Sequence, residues 1–262
     1  MFKLIILTFL GGFLFSGMSE KKITLTGSST VAPLVQVVAD QYQKESKGSM
    51  VEVQTGGSSK GISDCKRGLN DLGMISRELK DKERNIQSYA IAKDGLAFIT
   101  HKANAADNLK ASEVRAIYAG QTKNWIGSKE KITVISKAEG RGALELFKKY
   151  FGIRSSEIQS DVIVGDEAHT IKAVASVPGS IGFVSVSSAL EELKSPATQI
   201  KVLKIDGIKP NKDTIKNESY PYLRRLQLIA CDKMDEQSKK FVAFLQSSKG
   251  QSLVEKAGYL PL

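Results

Sequence analysis

The sequence predicts an α/β protein, in which strands of a largely parallel sheet alternate with helices. Three segments share one local pattern: a short apolar run, then glycine or serine, then the spacing of an amphipathic helix. They are KITLTGSSTVAPL (22–34), MVEVQTGGSSKG (50–61) and KITVISKAEGRGALELF (131–147). This alternation is typical of a sheet covered by helices.

The first of these junctions places three hydroxyl residues, Ser28, Ser29 and Thr30, where a helix is predicted to begin. The backbone N–H groups of a first helical turn lack partners and lie at the positive end of the helix dipole. One hydroxyl suffices as a cap, whereas three also suit a bound anion, so both interpretations stand. The following apolar residues have the i, i+3, i+4, i+7 spacing of a core-facing helix. They are Val31, Leu34, Val35, Val38 and Tyr42.

The other junctions add polar groups that suit the same chemistry. Ser58 and Ser59 precede the second predicted helix, and SKAEGRGAL (136–144) surrounds Arg141 with glycines. Arg77 follows a short apolar strand in DLGMISREL, and the planar arginine fork matches a tetrahedral oxyanion. Ligands of open α/β sheets lie beyond the carboxyl ends of the strands. The sequence therefore predicts an oxyanion site that uses no nucleophile, metal or cofactor.

Enzyme motifs fit poorly. GGSSKG (56–61) has its lysine before the final glycine, whereas the Walker phosphate loop needs Gly-Lys-Ser/Thr. The segment matches a loose Gly-x-Ser-x-Gly pattern, but His101 and His169 have no context that marks a catalytic base. A secreted serine hydrolase using Ser59 or Ser58 is the weaker alternative.

The first residues predict an export signal. Lys3 precedes an apolar run from Leu4 to Phe15, and the small residues Gly17 and Ser19 suit cleavage after Ser19. The run is shorter than the ~20 apolar residues of a membrane span. No cysteine lies near the cleavage point, so we expect a soluble exported protein rather than a lipid-anchored one.

Charge and cysteine content are consistent with an exported anion-binding protein. The chain has 262 residues and a formal net charge of +10, mostly from lysine, which raises the encounter rate with small anions. Export and the lack of a basic block interleaved with aromatic residues exclude nucleic acid as a partner. Cys65 and Cys231 either form a disulfide or remain two separate buried thiols, and they do not make a metal site.

Two apolar runs bracket the middle of the chain, GLAFIT (95–100) and LQLIAC (226–231). They are interpreted as strands by which the chain leaves one lobe and returns to it. The alternative is that both are ordinary strands of a single domain. The intervening polar stretch 195–222 is predicted to be irregular, with a short strand at about 200–205.

Several motifs together, in order and spacing, resemble the PstS family of phosphate-binding proteins that serve bacterial ABC importers. They are ITLTGSSTVAPLVQ, GGSSKGI, DLGMISREL, DGLAFIT, YAGQTKNW, VPGSIGFVSVS and the tail FLQSSKGQSLVEKAGYLPL. The resemblance implies a periplasmic-binding-protein fold, with two α/β lobes joined by two crossover strands and the ligand cleft between them. It assigns residues 1–19 to the signal peptide, 20–97 plus 227–262 to the first lobe, and 98–226 to the second.

The resemblance also implies a function. The protein is expected to be a periplasmic, monomeric, non-enzymatic receptor without cofactor that captures inorganic phosphate and delivers it to the permease of an ABC importer. The alternatives are a receptor for sulfate or another tetrahedral oxyanion and a surface or adhesion protein that has lost its ligand. The phosphate contacts implied are Ser28, Ser29, Thr30, Ser58, Ser59, Arg77, Gly140, Arg141, Gly142 and Ala143.

This sequence departs from the family pattern in two places. Arg77 falls in the Ser-Arg motif of one branch of the family, whereas other branches carry an aspartate here that accepts the proton of phosphate and rejects sulfate. The Gly-Ser-Gly-Thr motif of the second lobe is replaced by GRGA (140–143), which loses both hydroxyls and gains a cation. Glu139 is the candidate proton acceptor, and its alternative role is as an ion-pair partner of Lys137 or Arg141.

Overall fold

The structure is a computed structural model that describes residues 21–262. The predicted signal peptide, residues 1–19, lies outside the described residues. No helix within 21–262 has the length and apolar character needed to cross a membrane.

Strands and helices alternate along most of the chain. The strands are β1 (Lys21–Gly27), β2 (Ser49–Thr55), β3 (Leu72–Ile75), β4 (Gln87–His101), β5 (Asn108–Leu109), β6 (Thr133–Lys137), β7 (Val162–Val164), β8 (Ser180–Ser185), β9 (Ile200–Val202), β10 (Lys204–Ile205) and β11 (Leu223–Ala230). The helices are α1 (Ala32–Glu45), α2 (Ser58–Lys66), α3 (Ala111–Tyr118), α4 (Gly142–Phe151), α5 (Glu167–Ser176), α6 (Val186–Glu192), α7 (Lys212–Lys216), α8 (Glu236–Gln246) and α9 (Ser248–Lys256).

One sheet runs through the molecule in the order β2-β1-β3-β11-β4-β8-β6-β7, and β9 also pairs with β4. The pairs β1–β2, β1–β3, β6–β7 and β6–β8 are parallel, whereas β11 is antiparallel to both β3 and β4. Parallel strands joined through helices confirm the predicted α/β class.

β4 carries the sheet from one half of the molecule to the other. Its first part, residues 87–95, pairs with β11, and residues 96–100 pair with β8. Separate apolar cores lie on the two sides: Leu25 and Phe241 belong to one, and Phe98, Phe147 and Phe183 to the other. From these two cores we infer two lobes joined by β4 and β11, and the lobe boundaries given above stay a prediction.

Packing of the first lobe follows the sequence pattern. The predicted stripe on α1 is buried, from Leu34 to Tyr42. Cys65 on α2 forms a disulfide with Cys231, immediately after β11, which decides between the two interpretations of the cysteines. The disulfide ties the second helix to the strand by which the chain returns to this lobe.

Candidate anion-binding site

Three buried serine hydroxyls form a cluster at one edge of the sheet. Ser28 follows β1, Ser58 begins α2, and Ser76 follows β3. The Ser28 hydroxyl donates to Ser76 Oγ at 2.9 Å, and Ser58 Oγ lies 3.4 Å from Ser76 Oγ. The backbone N–H of Ser76 also donates to Ser58 Oγ at 3.1 Å. Because β1 and β3 are parallel, their carboxyl ends bring these groups together.

The amino-terminal end of α4, from the second lobe, faces this serine cluster. A Cβ atom added to Gly142 would lie 2.3 Å from Ser76 Oγ and 2.5 Å from Ser58 Oγ. The Ser59 N–H donates to the Gly140 carbonyl oxygen at 3.0 Å, which links the two sides directly. A helix N-terminus offers unpaired N–H groups and the positive end of a dipole, so the arrangement suits an anion.

Thr30 occupies a different position from the serines. Its hydroxyl donates to Glu167 Oε1 at 2.8 Å and accepts from Arg224 Nη2 at 3.4 Å. Its backbone N–H donates to Ser28 Oγ at 3.2 Å. Val31, rather than a hydroxyl residue, is the N-cap of α1, and no side chain caps that helix. The Ser28 hydroxyl therefore bonds Ser76 and the Thr30 N–H, and the Thr30 hydroxyl bonds the second lobe, so neither caps the helix.

Two cavities lie near residues that bond Thr30. One, of about 690 Å³, is lined by Ser29 and Glu167 among others. The other, of about 410 Å³, is lined by Arg77 and Arg224 among others. The Thr30 hydroxyl bonds one lining residue of each cavity, Glu167 and Arg224.

A buried ion pair lies where β4 and β11 cross between the lobes. Arg224 Nη2 lies 3.0 Å from Asp94 Oδ2, and both side chains are almost completely buried. Asp94 Oδ1 accepts from the backbone N–H and the hydroxyl of Ser187, and Arg224 Nη1 donates to the Ser76 carbonyl oxygen at 3.4 Å. Sequence reasoning missed this pair, whose only signal is the two consecutive charged residues before each apolar run, at 93–94 and 224–225.

A second buried pair lies within the second lobe. Lys137 Nζ donates to Thr170 Oγ1 at 2.7 Å and to the Asp166 carbonyl oxygen at 3.2 Å, and it lies 3.7 Å from Glu167 Oε2. Burial lowers the pKa of the Lys137 ammonium group, and the Glu167 carboxylate opposes that shift. From the sequence, Lys137 was expected near the site only as an ion-pair partner of Glu139.

The guanidinium group of Arg77 does not reach the serine cluster. It is buried and donates to both carboxylate oxygens of Glu83, at 2.7 and 3.1 Å, and to the Glu78 carbonyl oxygen. A bidentate pair with a carboxylate fixes an arginine firmly. The buried Nε of Arg77 has no hydrogen-bond partner among the described residues, so the anion contact stays a prediction for this residue. Arg224 is the arginine that bonds the loop at Thr30 and the end of β3.

Glu139 and Arg141 also differ from the roles expected of them. Glu139 is exposed and forms its ion pair with Lys148 at 3.4 Å, so it is not a buried proton acceptor. Arg141, the half-buried N-cap of α4, packs with Cδ against Gly57 and with its guanidinium near Gly165. Its guanidinium makes no hydrogen bond or ion pair within residues 21–262. Arg141 is therefore a cation without a partner beside the hydrogen bond that links Ser59 to Gly140.

Metal chemistry has no support in the described part of the chain. No group of three or more His, Cys, Asp or Glu side chains there could hold a metal ion. His101 Nδ1 accepts from the Ala103 N–H, and His169 pairs with Asp166.

Known proteins resemble this chain in sequence and in fold. Phosphate-binding protein PstS of Bacillus subtilis is 27% identical over 249 residues, covering 92% of this chain and 80% of the relative. PstS of Borreliella burgdorferi is 26% identical and covers 92% and 90%.

Two solved structures have the same fold. An ABC transporter substrate-binding protein from Clostridium perfringens, solved with bound phosphate, superposes with a TM-score of 0.86 at 26% identity, covering 92% of this chain and all of that one. An ABC-type phosphate transport receptor from Vibrio cholerae gives 0.75 at 29%, with the same coverage. Residues 16–249 match the family model of the PBP superfamily domain. The chain therefore belongs to the PBP superfamily and has a periplasmic-binding-protein fold.

Proposed function

We propose that the mature chain, from residue 20 onward, is an exported solute-binding protein that captures inorganic phosphate between its lobes and delivers it to an ABC importer. The observation that carries this proposal is the serine cluster of Ser28, Ser58 and Ser76, which faces the N-terminus of α4. The names of the relatives from B. subtilis and V. cholerae support phosphate as the ligand.

The site supplies hydrogen-bond donors rather than excess buried positive charge. Three buried cations each lie beside a buried carboxylate, so their charges balance: Arg224 beside Asp94, Lys137 beside Glu167 and Arg77 beside Glu83. Removing an oxyanion from water is costly unless its oxygens are met by fixed hydrogen-bond donors. Serine hydroxyls can rotate to donate, and the N–H groups of Gly142 and Ala143 start α4. Phosphate recognition here rests on hydroxyl groups and helix dipoles.

The remaining predicted contacts take supporting roles in this proposal. Ser29 lines the cavity beside Glu167, Ser59 and Gly140 join the lobes through a backbone hydrogen bond, and Arg141 adds positive potential at the rim. Arg77 is assigned to holding the turn after β3 through Glu83 rather than to the anion.

We propose further that the protein is a monomeric receptor in the periplasm and not an enzyme. Within residues 21–262 neither histidine bonds to Ser58 or Ser59, so a serine nucleophile there has no imidazole base. Turnover of a chromogenic phosphate ester by the purified protein would contradict this part of the proposal.

Titration calorimetry of phosphate-stripped protein tests the proposed site. The double variant Ser58→Ala/Ser76→Ala removes two hydroxyls that would bond a charged ligand, so we expect phosphate affinity to fall roughly 100-fold or more. Ser63→Ala is the matched control, because Ser63 is exposed on α2, the helix that begins at Ser58. The phosphate affinity of this control variant should equal that of the unaltered protein. No phosphate binding by the unaltered protein, or equal binding by the double variant, would contradict the proposal.

A further inference from the structure

An ion pair joins the two lobes about one helical turn beyond the serine cluster. Lys80 Nζ, in the turn after β3, lies 3.0 Å from Glu145 Oε2 on α4. β3 packs in the core that contains Leu25, whereas α4 packs in the core that contains Phe147. The Lys80–Glu145 pair therefore connects two segments that belong to separate cores.

The same two segments meet at the proposed phosphate site. Ser76 lies four residues before Lys80, and Gly142 lies three residues before Glu145. A Cβ atom added to Gly142 would lie 2.3 Å from Ser76 Oγ, so the start of α4 already touches the end of β3. A phosphate ion held between these segments can leave only when they separate, and their separation also breaks the Lys80–Glu145 pair.

The Glu145 carboxylate is bonded on both oxygens. Oε2 pairs with Lys80 of the first lobe, and Oε1 pairs with Lys148 on α4 at 2.9 Å. Burial raises the pKa of the Glu145 carboxyl, but hydrogen bonds from Lys148 and Lys80 outweigh burial and hold that pKa below its ordinary value. The Glu145 side chain is only 15% exposed, so water and salt screen the pair less than a fully exposed one.

The turn that carries Lys80 is fixed through its backbone. Glu83 accepts from the Lys80 N–H at 2.8 Å and holds the Arg77 guanidinium by two hydrogen bonds. Within residues 21–262, Glu145 is the only carboxylate that forms an ion pair with the Lys80 side chain. A change of the Lys80 side chain therefore removes the contact with the second lobe and leaves the bonds of the turn in place.

We propose that the Lys80–Glu145 ion pair is a latch, which holds the lobes together around bound phosphate and slows phosphate release. This inference rests on the proposed phosphate-binding function. An interaction that exists only while the lobes touch stabilises the closed state and leaves the open state unaffected. Loss of the latch should therefore speed dissociation, while association, which begins with the lobes apart, changes little.

Glu145→Gln and Lys80→Gln each remove one charge of the latch. Protein loaded with radiolabelled phosphate is mixed with excess unlabelled phosphate, and loss of label is followed by rapid filtration. We expect each variant to release phosphate about 5-fold faster than the unaltered protein, with affinity by calorimetry lowered by a similar factor. The double variant should release phosphate as fast as either single variant, because the second substitution removes a charge that has already lost its partner.

The two substitutions change the charge near the site in opposite directions, which separates a latch from a general effect of charge. If the residues acted on phosphate only through their electric field, Lys80→Gln would speed release and Glu145→Gln would slow it. Release from Glu145→Gln that is no faster than from the unaltered protein overturns the latch. Unchanged release from Lys80→Gln also overturns it, because Glu145 would then act only through Lys148 on its own helix.

Glu157→Gln is the matched control, because it breaks an ion pair with Arg154 inside the second lobe. Its release rate should equal that of the unaltered protein. Circular dichroism checks that each variant is folded, and Lys80→Gln, which alters a side chain 46% exposed, keeps the test decisive if Glu145→Gln does not fold.

Failure of the proposed function is recognised separately. An unaltered protein that binds no phosphate overturns phosphate capture and the latch with it. Phosphate binding by the unaltered protein, with the same release rate in every variant, leaves phosphate capture intact and overturns only the latch.

Discussion

At the scale of single residues, the contact between the lobes depends on a glycine. Gly142 begins α4, and any Cβ atom there would overlap the hydroxyl oxygens of Ser58 and Ser76. No real Cβ atom approaches other atoms at 2.3 Å, so a larger residue would push the second lobe away from the serine cluster.

Gly142→Ala should therefore weaken phosphate binding by a factor of about 100, because donors on the two lobes can no longer meet one anion. The melting temperature of the ligand-free protein should change little, since alanine suits the first turn of a helix. Calorimetry and thermal unfolding measure the two effects separately. Phosphate affinity equal to that of the unaltered protein would contradict the role of this lobe contact.

Individual site residues could be predicted only where local sequence determines them. Ser28, Ser58 and Gly142 stand at strand-to-helix junctions, as the junction pattern predicts, and they lie close to Ser76 in the structure. Their role in anion binding stays a prediction. Arg77 was selected on its residue type, but Glu83, six positions later, pairs with it. Which arginine and which carboxylate reach the cluster depends on contacts such as Thr30–Glu167, which join positions 137 residues apart.

At the scale of elements, β4 and β11 connect the two lobes, and the buried ion pair between Asp94 and Arg224 joins these two strands. Removing one partner of such a pair leaves the other charge buried without compensation, which costs about 3–5 kcal/mol. Asp94→Asn should therefore lower the free energy of unfolding by about that amount in urea titrations. Asp107→Asn breaks an exposed pair with Lys201 and should leave the free energy of unfolding almost unchanged, because water screens such a pair. Equal losses of unfolding free energy in the two variants would show that the connection between the lobes does not depend on the Asp94–Arg224 ion pair.

Long periodic elements were predictable, and so was one short strand. The apolar stripe of α1 and the strands before each glycine-rich junction follow from spacing that extends over several residues. The strand predicted at about 200–205 is present as β9 and β10, whereas the five-residue helix α7 was not predicted. A helix as short as α7 buries too few side chains to leave a periodic signal, and Asn211, which caps it, is a common loop residue.

At the scale of the whole molecule, ligand capture depends on the contact between two lobes, each of which has its own apolar core. The serine cluster lies at the edge of the core that contains Leu25, and α4 contributes Phe147 to the other. Thr30 joins the two sides, since its hydroxyl bonds Glu167 of the second lobe and Arg224 on the crossing strand. The apolar runs 95–100 and 226–231 predicted this organisation, but sequence alone does not specify which surfaces the lobes bring together.

The crystal structure of the phosphate complex tests the central claim most directly. We expect one phosphate ion within hydrogen-bond distance of the Ser58 and Ser76 hydroxyls and of the first backbone N–H groups of α4. Phosphate bound elsewhere on the protein, with the three serines still bonded only to one another, would contradict this account.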